Sequence, residues 1–332
     1  MIRIDAAREL SYRLFREVGL SDGRSRVSAD ALVLADAWGV ASHGLLRLPY
    51  YLSRAKAGGI RTMAELVPVT DAGAVVAFDG NGGHGHWQVA TAAEVGVQRA
   101  TEHGISAVAV GNSNHCGCLG VYTLHALSAG FGAIVMSHGP AVMPPWGGQR
   151  AVLSTSPLAI AVPAHPQPVI ADLATSAVAR GRIAARRDRG EPLDDGWAFD
   201  RDGVATTDPT TALDGMLAPL GGAKGYALAV AVEALTAGMI GPALSADVAD
   251  MFASTSNHRQ QQIAHMVLTV DPSRFDTNGH ARERLAQLAA SVSSAGGRIP
   301  GAEKRSLSEY PPETQLPISA ELYETLRRSL KS

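Results

Sequence analysis

Over the first seventy residues the apolar positions recur with helical spacing. Leu10, Leu14 and Val18 fall four apart behind Asp5, which can cap a first helix. SADALVLADAWGV (28–40) predicts a second helix with Ser28 or Asp30 near its start, and SHG (42–44) breaks it. LLRLPYYLSRAKAGG (45–59) predicts a third, stopped by Gly58 and Gly59, with Pro49 marking a start or a kink. From about residue 72 short β-branched runs alternate with helical stretches. Strands are predicted at 74–78, 105–110, 132–137 and 265–271, and a strand pair at 158–163 and 168–173 around the turn AHPQ. Helices are predicted at 87–104, ended by Gly104, and at 122–130, 175–190, 225–244 and 280–297. An extended, Pro-containing tail leads to a last helix at 320–331.

This alternation argues an α/β or α+β fold. The chain has 332 residues, which corresponds to about two domains. Residues 1–71 together with 296–332 are expected to form one helical layer, and 72–295 the sheet domain. Apolar residues are 46% and charged residues 18%, enough for a real core. A net charge of −2 argues against a broad nucleic-acid-binding surface. Cys116 and Cys118, one residue apart, exclude a disulfide framework and suggest a reducing compartment. The amphipathic N-terminus carries no signal-like apolar run. The apolar stretch 225–244 contains Glu233, Gly and Pro and reads as a buried helix rather than a membrane span. The expectation is a cytoplasmic protein with neither membrane nor nucleic-acid partners.

Several segments carry candidate chemistry. Gly80-x-Gly82-x-x-Gly85 follows a strand and precedes a helix, as a dinucleotide fingerprint does. Against it, no strand-terminal acid follows about twenty residues on, and turn glycines explain it equally. His84 and His86 have metal-pair spacing, and a metal-dependent hydrolase would recruit His115, His138 and Asp172 from later strand ends. The cysteines are too close for a zinc knuckle, and no metal site is expected. His115 follows a strand, where α/β proteins place ligands, and can serve as acid or base. Ser42-His43-Gly44-Leu45-Leu46-Arg47 offers a proton donor and a guanidinium fork for a carboxylate; a helix cap with a surface arginine is the alternative. Lys224 and Gly225 open the apolar helix, where small residues suit an anion or mark ordinary helix entry. Asp172 closes a strand and can hold a ribose, orient a substrate or cap a helix; Thr175 or Ser176 can cap the helix that follows.

Taken in order, SHGLLRLPYYLSRAKAGGI, DGNGGHGHWQVA, AVAVGNSNHCG, DLATSAVARGRI, GWAFDRDG with TTDP, GGAKGYALAVAVEAL and RIPG resemble the type-2 malate/L-lactate dehydrogenases, a family that also holds sulfolactate, ureidoglycolate and diketogulonate oxidoreductases. The resemblance spans nearly the whole chain. It implies a homodimeric NAD- or NADP-dependent reductase of 2-oxo acids. It also implies a non-Rossmann nucleotide-binding mixed sheet beside a helical domain made from both chain ends. By the resemblance His43 is the proton donor, His115 a second catalytic histidine, and Ser42 and Arg47 bind the substrate carboxylate. Asp172, Leu173, Ala174, Lys224, Gly225, Pro300 and Gly301 are implied cofactor contacts. A reductase of cyclic imino acids is the alternative within oxidoreductases, and Cys116, where relatives of that kind tend to have histidine, argues against it.

The chain departs from the family at Ser154-Thr155-Ser156-Pro157, where G-T-N-P is common, and at His138, where a small polar residue is common. Ala302 replaces the usual acid, with Glu303 following. The polar, weakly patterned loop 243–262 is unlike the family and is a lid candidate.

Overall fold

The computed structural model describes residues 1–251 and 253–330. The reading of the last helix through Lys331, and Phe252 of the lid candidate, lie outside the described residues.

The chain opens with β1 (Ile2–Arg3), α1 (Ile4–Glu17), α2 (Asp22–Ala37) and α3 (Leu48–Lys56). Leu10, Leu14 and Phe15 of α1 are buried with Leu32 and Val33 of α2 and Leu48 and Tyr51 of α3. Next come β2 (Val67–Ala72), β3 (Val75–Asp79), α4 (Gly85–His103), β4 (Ile105–Ser113), α5 (Gly120–Ser128) and β5 (Gly132–Ser137). A hairpin of β6 (Leu158–Val162) and β7 (Val169–Leu173) leads to α6 (Arg180–Asp188). The strands β8 (Ala198–Phe199), β9 (Ala205–Thr206) and β10 (Met216–Leu217), with α7 (Pro209–Asp214) before the last, make a small antiparallel sheet. Then follow α8 (Ala223–Glu233), β11 (Ile263–Val270), α9 (Ala281–Ser294), β12 (Gln315–Leu316) and α10 (Ala320–Ser329).

The main sheet has the order β2-β3-β4-β11-β5-β6-β7. Only β3 and β4 run parallel, joined by the crossover helix α4; every other neighbouring pair is antiparallel. This mixed sheet is not the parallel sheet that a dinucleotide fingerprint requires. The pleat sorts its two faces. Val108, Val110, Val267, Val135 and Ala159 pack against Val89 and Ala93 of α4 and Tyr122 of α5. Met136 and Leu158 face the other way, against Val232 of α8.

Both chain ends meet. β1 pairs with β12, and Leu316 and Leu326 join the cluster around Leu14 and Phe15. No described helix is long and apolar enough to cross a membrane.

The structure corrects several expectations. Asp5 lies inside the first turn of α1, accepting Ala6 N–H, and Arg3 is the cap residue. The second helix starts at Asp22, because Ser21 already provides an extended entry. The stretch 67–72 is a strand, β2, exposed along its length; Val67 and Val69 alternate, but Pro68 and Asp71 interrupt the strand pattern. α6 begins only at Arg180. Thr175 and Ser176 do not cap it, for Thr175 pairs with Thr155 and Ser176 bridges to Pro219. The stretch 225–244 is not one buried helix. α8 ends at Glu233 and passes into a π-helical turn, Ala234–Gly238, and Leu228, Val230 and Met239 are exposed.

Leu326 is fully buried between the chain ends. Leu326→Ala is expected to cost about 2–5 kcal/mol of unfolding free energy, measured by urea titration. A cost under 1 kcal/mol would mean that α10 adds little to the packing of α1.

Candidate active site

Two successive 3-10 turns, Ala41–His43 and Leu45–Arg47, stand where a helix start was expected. The cause lies beneath them. Asp36, in the last turn of α2 and only 5% exposed, accepts Leu45 N–H through Oδ2 at 2.8 Å. Gly44 rests on this carboxylate, and a Cβ there would overlap it. The chain bends around Asp36, which brings Arg47 back over Ser42. Arg47 Nε donates to Ser42 O at 2.9 Å, and Ser42 Oγ lies 2.9 Å from His43 Nδ1. Arg47 is half-buried on a cavity wall and is not a surface arginine.

His115 comes from the turn after β4. Its ring stacks on that of His43, with centroids 5.8 Å apart and planes inclined by 21°. Tyr51, on α3, donates its hydroxyl to His115 Nδ1 at 2.7 Å, and Gly117 N–H reaches the same nitrogen at 3.2 Å. A nitrogen with two donors aimed at it is an acceptor, which assigns the proton of the neutral imidazole to Nε2. Burial holds His115 well below the ordinary histidine range, with the charges of neighbouring His43 and Arg47 adding to the effect. Burial likewise brings His43 down to about 4, with Arg47 acting in the same direction and Asp172 against it. Both rings are neutral at pH 7.

Asp172 ends β7. Its Oδ2 accepts Gly120 N–H at 2.8 Å and the Cys118 thiol at 3.0 Å. Cys116 and Cys118 are buried, and burial pushes both thiols up, so they are protonated packing residues. Ser42, His43, Arg47, His115, Asp172, Leu173 and Ala174 all line one cavity of about 280 Å³.

Sequence reasoning missed other wall residues. Tyr51 sets the His115 tautomer from just behind the wall. Arg180 and Lys304 line the cavity themselves, and Lys304 also sits over the Trp38 ring, 5.0 Å from its centroid. Lys304 shares the chain with only Lys56, Lys224 and Lys331, and this scarcity is a sequence signal that could have singled it out. His138, singled out in the sequence as a departure from the family, lines the cavity as well, with Ala264 N–H donating to its Nε2 at 2.8 Å.

The remaining candidates lie off this wall. Lys224 is exposed in the first turn of α8, and Gly225 is glycine because a Cβ would overlap Leu220 O. Pro300 O accepts Ile170 N–H at 2.8 Å, and Gly301 packs against the same residue of β7; this docking carries Lys304 to the cavity.

The fingerprint glycines are committed elsewhere. Gly80 N–H and Gly82 N–H donate to Gly111 O and Asn112 O, and Gly83 N–H to Gly80 O. A Cβ at Gly85 would overlap Asn114 O. These glycines let the loop lie against the end of β4, and the amides of Gly80, Gly82 and Gly83 are engaged within the chain. His84 and His86 stack on each other, 4.7 Å between centroids, inside a cage with Phe15 and Tyr51. His84 Nδ1 meets Ser28 Oγ at 3.2 Å. Among the described residues no group of three or more His, Cys, Asp or Glu is placed to hold a metal ion.

The family model for malate/L-lactate dehydrogenase matches residues 2–327. A protein of Chromohalobacter salexigens named (2R)-3-sulfolactate dehydrogenase (NADP(+)) is 35% identical over 308 residues, which cover 92% of this chain and 91% of that one. The solved sulfolactate dehydrogenase of Methanocaldococcus jannaschii matches with a TM-score of 0.90 at 28% identity, covering 99% of this chain and 96% of that one. The solved delta1-piperideine-2-carboxylate reductase of Pseudomonas syringae matches with a TM-score of 0.89 at 27% identity and covers 99% of each chain.

Burial raises the Asp36 carboxyl from 3.8 to about 6, and the Leu45 N–H bond only partly offsets this. The native state therefore binds this proton more tightly than the unfolded chain does. Its contribution to stability grows as pH falls from 7 towards 4, by at most about 3 kcal/mol. Comparing denaturant unfolding of wild type with Asp36→Asn at pH 7 and pH 4 isolates the effect. The wild type should gain on the variant as pH falls, and a constant difference would contradict a carboxyl raised by burial.

Proposed function

The chain belongs to the malate/L-lactate dehydrogenase family, and on that premise we propose that it interconverts a 2-oxo acid and its 2-hydroxy acid by hydride transfer with NAD or NADP. The observation that carries this reading is the His43–His115 stack on one cavity wall with Arg47 and Asp172. Arg47 clamps the substrate carboxylate with its guanidinium fork, and Ser42 helps to fix it. His43 gives its proton to the carbonyl oxygen as hydride arrives at C2, and takes it back in the oxidation. His115, with its proton on Nε2, is a second donor where alkoxide charge develops. Overall, oxo acid, reduced cofactor and one proton become hydroxy acid and oxidised cofactor.

The cavity suits an anionic dinucleotide. Arg47, Arg180 and Lys304 stand on its wall against one carboxylate, Asp172, which uses a single oxygen for Gly120 and Cys118. Asp172, Leu173 and Ala174 would hold the cofactor, together with Lys224, Gly225, Pro300 and Gly301 beyond the wall. When bound, the nicotinamide supplies the hydride. Arg180 adds a second guanidinium, which favours a substrate with a further anionic group, and the sulfolactate dehydrogenases among the relatives support this. A cyclic imine next to a carboxylate presents the same pair of groups, and the likeness to a piperideine-2-carboxylate reductase makes it the second substrate class.

A homodimer belongs to this reading. α9 buries none of its residues within the chain, and Leu288 on it is 53% and Met239 71% exposed. Faces of this kind suit a second copy. The free buried thiols fit a cytoplasmic enzyme.

The test is the loss of reduced-nicotinamide absorbance with oxaloacetate, pyruvate, sulfopyruvate and a cyclic imino acid, using NADH and NADPH separately. Turnover with an oxo acid should fall about 10²–10⁴-fold in His43→Ala while cofactor binding persists. Turnover with the imino acid alone would transfer the reading to the second class, and no turnover anywhere would end it.

The low-lying His43 gives a second prediction. The neutral ring is the base for oxidation, so kcat/KM of hydroxy-acid oxidation should hold down to about pH 5 and fall only as pH approaches 4. Reduction needs the protonated ring, and its kcat/KM should rise as pH drops from 8 to 5. An acid limb of oxidation near 6.5 would contradict the burial of His43.

A further inference from the structure

Asp36, Arg54, Glu233 and Asp271 are the buried aspartate, glutamate, lysine and arginine side chains of the described residues. Asp271 pairs with Arg274. For Arg54 and Glu233 no oppositely charged group lies within ion-pair distance among the described residues. An uncompensated buried charge is costly, and each of these spends its charge on the same loop, one at either foot.

Glu233, the last residue of α8, grips the first foot. Its Oε1 accepts Ser245 N–H at 2.8 Å and its Oε2 accepts the Ser245 hydroxyl at 2.6 Å. Ser245 O in turn accepts Ala141 N–H at 3.0 Å, and Ser245 Oγ lies 3.5 Å from His138 Nδ1, beside the cavity. Arg54, on α3 and fully buried, grips the second foot. Its Nη1 donates to Ser256 O at 3.3 Å and its Nη2 to Arg259 O, with Asn114 Oδ1 at 3.4 Å. Gly59 permits this approach, since a Cβ there would overlap Asn257 O. Just beyond the foot, Gln261 Oε1 accepts His115 N–H at 3.1 Å. Between the feet the loop delivers Met251 to the cavity wall.

We propose that Arg54 and Glu233 are positioning residues that pin the two feet of a strap, residues 245–251 and 253–259, across the substrate side of the cavity. Neither touches the reacting atoms. Each fixes backbone that leads directly to the wall: Glu233 through Ser245 to His138, Arg54 through the 256–261 segment to His115. A strap held by charge-assisted bonds at both ends keeps Met251 against the cavity and excludes water from the oxo acid. The substrate-side assignment rests on the oxidoreductase reading; the pinning itself rests on the geometry alone.

Arg54→Met and Glu233→Gln test it, read by steady-state kinetics, cofactor fluorescence, thermal melting and hydrogen exchange of residues 253–259. Each variant is expected to raise KM for the oxo acid and lower kcat, together costing about tenfold or more in kcat/KM. Exchange at 253–259 should accelerate in Arg54→Met, while the dissociation constant of the reduced cofactor and exchange in β4 and β11 stay at wild-type values. Arg54→Lys keeps the charge without the fork and serves if Arg54→Met does not fold; it should show the same pattern in weaker form. Unchanged kinetics with faster exchange would overturn the strap's role at the site. Unchanged exchange, or a loss of cofactor affinity and melting temperature in step with kcat/KM, would overturn the pinning. A wild-type chain without oxo-acid turnover would instead count against the oxidoreductase reading, and exchange would still decide the pinning.

Discussion

Asp36 accepts Leu45 N–H inside the protein, and the chain from His43 to Arg47 has to bend around that carboxylate. Gly44 is the one residue type that fits over it without a clash. From this bend follow the two 3-10 turns, the return of Arg47 over Ser42 and the facing of His43 towards His115. A continuous helix from Leu45 would carry Arg47 away from Ser42. The same physics recurs at the feet of the strap. In each place a buried charged side chain satisfies backbone groups of an irregular segment next to the cavity. Regular elements need no such help, and the uncompensated charges are accordingly found where the backbone leaves the ladder.

The scaffold behind the site is a mixed sheet. One parallel step, β3-α4-β4, brings a glycine-rich loop to the end of β4, where that strand accepts the Gly80 and Gly82 amides. The antiparallel remainder carries β7 to the far edge, where Asp172 meets Cys118 and Gly120. The C-terminal segment then returns along β7 through Pro300 and Gly301 and contributes Lys304. Residues more than two hundred and fifty apart in sequence thus share one wall, His43 with Lys304.

Much of this was legible from patterning. The strands at 105–113, 132–137 and 263–270 alternate or are densely apolar because both sheet faces are covered, and Gly104 ends α4 in the left-handed conformation that glycine tolerates. Edge strand β2 was illegible, since its two valines are separated by Pro68 and followed by Asp71, residues that argue against a strand. The turn at 41–47 was ambiguous because its determinant, Asp36, lies in the preceding helix and looks like a surface acid in sequence. At the site, His43, Arg47, His115 and Asp172 stood out by residue type and by position at strand or helix ends. Tyr51 and Arg54 did not, and Glu233 registered only as a break in an apolar run, for each acts through its burial, which only the tertiary structure reveals. Lys304 and Arg180 were passed over because each lies in a segment whose neighbours carried the stronger motif.

The central claim is that this cavity passes hydride between a nicotinamide and C2 of an oxo acid. The most direct measurement follows the label. Reduced cofactor carrying deuterium at C4, prepared as each stereoisomer, is incubated with the oxo acid, and the product is read by proton NMR. The account predicts that one stereoisomer delivers deuterium to C2 of the hydroxy acid without dilution by solvent protons. Protium at C2 from both stereoisomers, with the label retained on the cofactor or lost to water, would contradict it.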